Sequence, residues 1–482
     1  MGCLTSQLSN IRAVGAHKAI GNPMSLTAAL GTFIQDLRFE HVPAEARALA
    51  RDAFTDTIGV IMAGASEPIV EIVHNEVALR PSPAEARVCL SARKVSALDS
   101  ALVAGTAAHA LDYDDQALTG HPSAILVPTI LAEGEFLGSS GQDMVTAYVG
   151  GYEVWAELVR RGSNYHKKGW HPTSVFGVIG AAAAASVLRR LSGERASSAL
   201  AIAASHASGL AVNFGTMTKP YHAGMAARDG VMSARLANAG ATAAARDVFE
   251  NRHGFLTAFS IDGQADWDSK SNLGTEWHLV SHRLCVKRYP TCYFMHRSFD
   301  ATVNLLQQNG VNAEQIEDVE VTMGRGQTAV LVNERPKTGL QAKFSEQFAM
   351  AAAAILGHMR IDDLTDPVVQ RPDIQAFFPK VRLNAVDEYD ARDPAHSPTE
   401  RVVVRLQDGS VLDTGPIAVV KGHAYDPLTT EELWEKFKEC TAKTHTNSGA
   451  RLLFERTQQI ASLRSPHDLP TCEGLFRIEG VA

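Results

Sequence analysis

Runs of very small residues constrain this chain most. GAAAAAS at 180–186, ALAIAASHASG at 199–209 and ARLANAGATAAA at 234–245 put little but Ala and Gly along successive helical stretches. Such faces leave almost no side chain between neighbouring helix axes, so the helices can pack closely. No heptad persists through them, which argues against a coiled coil. Helical periodicity also runs through 26–62, with Pro43 opening its second half, and through 96–112 and 122–138. Ser140-Gly141-Gln142-Asp143 reads as a turn and cap ahead of a further helix.

Near residue 280 the pattern changes. IEDVEVTMG (316–324) alternates with period two, as a half-exposed strand does. VRLNAVDEY (381–389), RVVVRLQDGSVLDTG (401–415) and IAVV (417–420) also read as strands, with Asp408-Gly409 as a hairpin turn. Helical patterns return after 425, where Thr430 is the expected cap. The expected fold class is mainly α: a large discontinuous all-helical domain, 24–282 and 425–482, with a smaller inserted α+β lid, 283–424. Residues 1–23 contain no acid and read as a disordered extension, although MGCLTS also fits a myristoylation pattern.

The formal net charge of -8 argues against general nucleic-acid binding. No uncharged apolar run reaches the roughly 18 residues of a membrane span. The six cysteines are scattered without a CxxC pair, which fits a reducing, cytoplasmic setting and offers no zinc or iron–sulfur spacing.

GTAAHALDYDDQALTGHPS (105–123) concentrates the polar chemistry. Asp112, Asp114 and Asp115 follow a small apolar helix end and precede His121, which sits before Pro122 at a helix start. Helix N-termini favour anions. Solvated or capping acids, or a divalent-cation site, are the alternatives for this cluster. GWHPTSVFG (169–177) repeats the setting at His171. GTMTKPYHAGMAARDG (215–230) adds Lys219, His222 and Arg228, VKRYP (286–290) adds Lys287 and Arg288, and TGLQAKFSEQFA (338–349) adds Lys343. Two imidazoles, an acid cluster and several cations suit chemistry on a polycarboxylate. The cations hold carboxylates while an acid–base pair moves a proton alpha to one of them.

These segments together resemble the MmgE/PrpD family, which includes 2-methylcitrate dehydratase, cis-aconitate decarboxylase and iminodisuccinate epimerase. The resemblance spans about 26–460 and rests on AGTAAHALDYDD, GHPS, GWHPT, KPYHAGMAARDG, VKRYP and KTGLQAKFS. It implies a helical domain with an α+β lid, a homodimer, and no metal or organic cofactor. By position it implies a catalytic set of Asp112, His121, His171, Lys219 and Lys287. Gln116, His222 and Arg288 are the expected substrate-binding residues.

The chain departs from the decarboxylase pattern in two places. Gln116 stands where those enzymes carry Thr, and Leu331 to Glu334, before Arg335-Pro336, contain no tyrosine. The expected reaction is therefore dehydration of a 2-methylcitrate-like hydroxy polycarboxylate. Epimerisation or decarboxylation at the same carbon is the alternative, and a non-catalytic helical binding protein belongs to another class.

Overall fold

The protein is described here by a computed structural model covering residues 25–162, 168–261, 264–390, 396–472 and 475–476. The expected N-terminal extension lies outside the described residues. The fold is mainly α, as the small-residue runs imply. Its first core is built from α1 (Leu26–Asp36), α2 (Ala44–Gly64), α3 (Pro68–Ala78), α4 (Ala97–Ala110), α5 (Ser123–Leu137), α6 (Gly141–Val159), α7 (Pro172–Leu188), α8 (Gly193–Ala204) and α9 (Thr218–Asn238).

Every residue of α7 is buried, so this Ala-rich helix runs through the centre of the core. The α4–α9 contact shows why the sequence is so poor in large side chains. A Cβ added to Gly224 would lie 2.3 Å from the carbonyl oxygen of Leu102, a separation no side chain tolerates. The helices Thr430–Thr441 and Asn447–Gln458 return to this core and pack on α2. Thr429, one residue before the expected cap, closes a reciprocal capping box with Glu432. Ser140 and Asp143 form the same box at the start of α6.

A second core gathers residues between Cys292 and Leu406. The helix His296–Asn309 and the helix Glu346–Ile355 cover a four-stranded sheet there. After the short pair β1 (Ala86–Arg87) and β2 (Lys94–Val95), the sheet strands are β3 (Ile316–Gly324), β4 (Val381–Val386), β5 (Arg401–Leu406) and β6 (Val411–Asp413). Their order is β4-β3-β5-β6, with β4 parallel to β3 and the other pairings antiparallel.

Two strand expectations fall short. VRLNAVDEY pairs only as far as Val386, and IAVV contributes a single bridge from Ile417 to Glu400. Gly415 in the left-handed region (φ 66°) followed by Pro416, which has no N–H, prevents a longer ladder. Among the described residues no single helix is long and apolar enough to cross a membrane.

Candidate active site

α4 ends at Ala110, and the chain then turns sharply. Asp112 takes a left-handed backbone conformation (φ 52°), uncommon for a non-glycine residue and costing strain that its surroundings must hold. What holds it is a ring of amines. Lys219 Nζ donates to Asp112 Oδ1 at 2.7 Å, while Lys287 Nζ donates to the Asp112 carbonyl at 2.7 Å and lies 3.2 Å from Oδ1. Lys436, from the helix Thr430–Thr441, donates to the next carbonyl, that of Tyr113, at 2.8 Å and pairs with buried Asp56 at 2.6 Å. Lys343 reaches back to the Ala110 carbonyl at 3.2 Å. Burial alone would raise the Asp112 carboxyl; Lys219 and Lys287 outweigh it and hold the group well below the ordinary carboxylate range. It stays ionised at neutral pH.

The acids are not solvated. Asp114 and Asp115 have no exposed surface. Asp114 accepts from Nδ1 of both His109 and His121, each at 3.0 Å. The Asp115 carbonyl also lies 2.9 Å from His121 Nδ1. Both partners of that nitrogen are acceptors, so Nδ1 carries the proton and Nε2 is left as the lone-pair atom. Nε2 lies 3.9 Å from Asp112 Oδ1. Burial lowers the His121 pKa against the opposing pull of Asp114, which keeps the ring neutral and able to act as a base.

His171 is the residue before α7 and is buried. Its Nδ1 meets His222 Nδ1 at 3.1 Å, so the two rings share one proton. Burial pushes His171 well below its ordinary value and His222 to about 4.

A cavity of about 50 Å³ lies between the two cores. Asp112, Gln116, His121, His171, Lys219 and Lys287 line it together with Phe214, Phe294, Val330 and Phe344. The five residues expected as catalytic therefore surround one space, and Gln116 joins them. Two expected substrate contacts do not. His222 stands behind His171, outside the cavity lining. Arg288 follows Lys287 in a non-helical segment and projects the other way, to a half-exposed pairing with Asp300 at 3.1 Å. Lys219 sits in the first turn of α9, not on a loop, and its ammonium lies 4.9 Å from the Phe344 ring centre.

His109 was not among the expected site residues. It is one imidazole among the alanines of α4, and its ring lies 4.6 Å from that of His121 and 5.7 Å from that of His171. The signal was present: an imidazole five residues before Asp114 at a helix end. His109, Asp112, Asp114 and His121 place ligand-type atoms within 4.8 Å of one another. A divalent cation suits them poorly, because two lysine ammonium groups already lie against Asp112 Oδ1 and two imidazoles donate to Asp114.

Asp115 has a different task. Ser123 donates to it from its backbone N, at 3.3 Å, and from its hydroxyl, fixing the turn that carries His121. Burial pushes its carboxyl up to about 7 despite those bonds. A folded-state pKa above the unfolded value of about 3.9 means the protonated form is favoured by folding. That stability is complete below about pH 4 and is lost as pH rises through about 7, a total near 4 kcal/mol. Asp115→Asn mimics the protonated carboxyl. Its stability relative to the parent, from urea unfolding, is expected to improve steadily between about pH 4 and 8; a difference independent of pH would refute the assignment.

The comparisons with known proteins identify the family. A model of the MmgE/PrpD N-terminal domain matches residues 28–268, and one of the C-terminal domain matches residues 289–459. The chain is 27% identical to a human cis-aconitate decarboxylase over 471 residues, covering 94% of each chain. It is 28% identical to the Mus musculus cis-aconitate decarboxylase, covering 79% of this chain and 78% of that one. With a cis-aconitate decarboxylase of Aspergillus terreus the identity is 24%, over 86% of this chain and 88% of that one. With two family domains matched in order across nearly its whole described length, the chain belongs to the MmgE/PrpD family.

Proposed function

We propose that this protein is a lyase acting on a small di- or tricarboxylate through proton transfer at the carbon alpha to a carboxylate. The observation that carries the reading is the fixed tautomer of His121. Asp114 and the Asp115 carbonyl hold its Nδ1–H, so Nε2 is a neutral base beside Lys219, Lys287 and Asp112. A base in that position takes the alpha proton. The two ammonium groups stabilise the enolate-like charge that develops. His171 is a neutral ring; with the shared proton on His222 it carries its own hydrogen on Nε2, donates it to the departing group and takes the His222 proton at Nδ1.

Dehydration of a 2-methylcitrate-like hydroxy acid uses this arrangement directly: the C–H and C–O bonds break, and water leaves. The apolar wall of Phe214, Phe294, Val330 and Phe344 suits a methyl-bearing edge of such a substrate. Decarboxylation is the second reading, favoured by the near full-length similarity to cis-aconitate decarboxylases. A carboxylate pressed against that apolar wall loses hydration, which favours release of CO₂. The cavity has room for only about four waters, so Phe294, Val330 and Phe344 give way when an acid of this size binds.

Incubation with citrate, 2-methylcitrate and cis-aconitate in deuterated water, followed by NMR, tests the reading. Loss of water from a hydroxy acid, with deuterium entering the alpha position of the recovered hydroxy acid through the reverse step, is the expected result. Release of CO₂ from cis-aconitate would establish the second reading. Neither turnover nor exchange with any of the acids would refute both.

A further inference from the structure

Two buried hydroxyls on the cavity wall stand apart from the charged machinery. Thr173 lies in the first turn of α7, two residues after His171, and Tyr293 lies in the short turn that leads into the helix His296–Asn309. Both line the cavity and both are nearly inaccessible, at 1% and 4% exposure. The Thr173 hydroxyl has no hydrogen-bond partner among the described residues, and the Tyr293 hydroxyl has only the Cys285 thiol. The Cys285 thiol acts on the Tyr293 hydroxyl, but sulfur is a weak partner that leaves most of the bonding capacity unused.

A buried hydroxyl left unpaired costs stability unless something else uses it. Here the two hydroxyls belong to residues that line the same small space from opposite cores, just beneath its surface. The segment Leu331–Glu334 brings no hydroxyl to that wall, so Tyr293 is the phenol available from the smaller unit.

We propose that Tyr293 and Thr173 are substrate-contact residues whose hydroxyls hydrogen-bond oxygen atoms of the bound polycarboxylate, one from each side of the cavity. The inference rests on the polycarboxylate reading above and deepens it. Lys219 and Lys287 supply charge, which attracts any small anion. Two neutral donors in fixed positions supply shape and count oxygens, so they discriminate among acids that the lysines alone would accept. Burial holds the Tyr293 phenol far above its ordinary pKa, so it remains a donor throughout the working range.

The test is kinetic and structural together. Tyr293→Phe and Thr173→Val each remove one hydroxyl and little else. Each is expected to lower kcat/KM, on whichever acid the parent turns over, by about 10- to 100-fold, as loss of one hydrogen bond to a charged group does. The thermal midpoint should hold or rise, because no folded-state bond beyond the weak one to the Cys285 thiol is lost. Tyr289→Phe is the contrast. Its hydroxyl donates to Asp300 at 2.5 Å outside the cavity lining, so it should lose stability and keep its activity. Unchanged kcat/KM in both cavity variants would overturn the proposal while leaving the lyase reading intact. A fall in thermal midpoint that accounts for the lost activity would assign the two residues to structure and also overturn it. If the parent neither binds nor converts citrate, 2-methylcitrate or cis-aconitate, the site reading fails and this inference fails with it.

Discussion

Asp114→Asn is expected to cut kcat by about 10²- to 10⁴-fold while the fold survives, the range seen when the orienting acid of an imidazole base is made an amide. The carboxylate accepts from two rings at once, His109 and His121. An amide offers one acceptor and one donor. His109 contacts both carboxylate oxygens and so meets the amide donor, while His121 keeps the Asp115 carbonyl as an acceptor for its Nδ1–H but loses the negative charge that orients and polarises it. KM should change far less than kcat, because the lysines that hold the substrate are untouched. Deuterium exchange at the alpha carbon should slow in proportion to kcat. Activity within a few-fold of the parent would show that the Asp114 charge does not activate His121, leaving the Asp115 carbonyl as the one group that holds its Nδ1–H.

Lys287→Met is expected to damage both stability and binding. The ammonium is fully buried and spans the Asp112 carbonyl and its carboxylate. Without it the left-handed turn at Asp112 loses one of the groups that restrain it, and a buried carboxylate keeps only Lys219 as an ionic partner at hydrogen-bond distance. Removing one partner of a buried charge cluster costs about 3–5 kcal/mol. Denaturant unfolding should read a loss of that size, with affinity for a tricarboxylate falling by about 10²-fold. A variant as stable as its parent would mean that Asp112 does not depend on Lys287, and the electrostatic account of the site would need rebuilding.

The helical core was legible because Ala and Gly runs have one physical use at that density. The starts of α5 and α7 were legible because His-Pro-Ser/Thr marks a helix entrance. Burial of the acids was harder to see. Asp114 and Asp115 look like a solvated turn in sequence, and only the returning partners, His109 from α4 and Ser123 from α5, make their burial affordable. His109 was hidden because an imidazole in an alanine-rich face reads as packing until its carboxylate is seen. The separation of Lys287 from Arg288 was equally invisible: adjacent cations in a string of letters give no hint that one faces a cavity and the other Asp300. The failed IAVV strand had a readable cause in Gly415-Pro416, which the apolar pattern outweighed.

Lys436 holds the Tyr113 carbonyl from a helix more than three hundred residues downstream. A ribosome making this chain releases both imidazoles, the acids and Lys287 well before that amine emerges. The nascent polypeptide therefore carries every reactive group for much of its synthesis while the turn that aligns them still lacks its last restraint. That restraint becomes available only when the helix Thr430–Thr441 has been made and packs on α2.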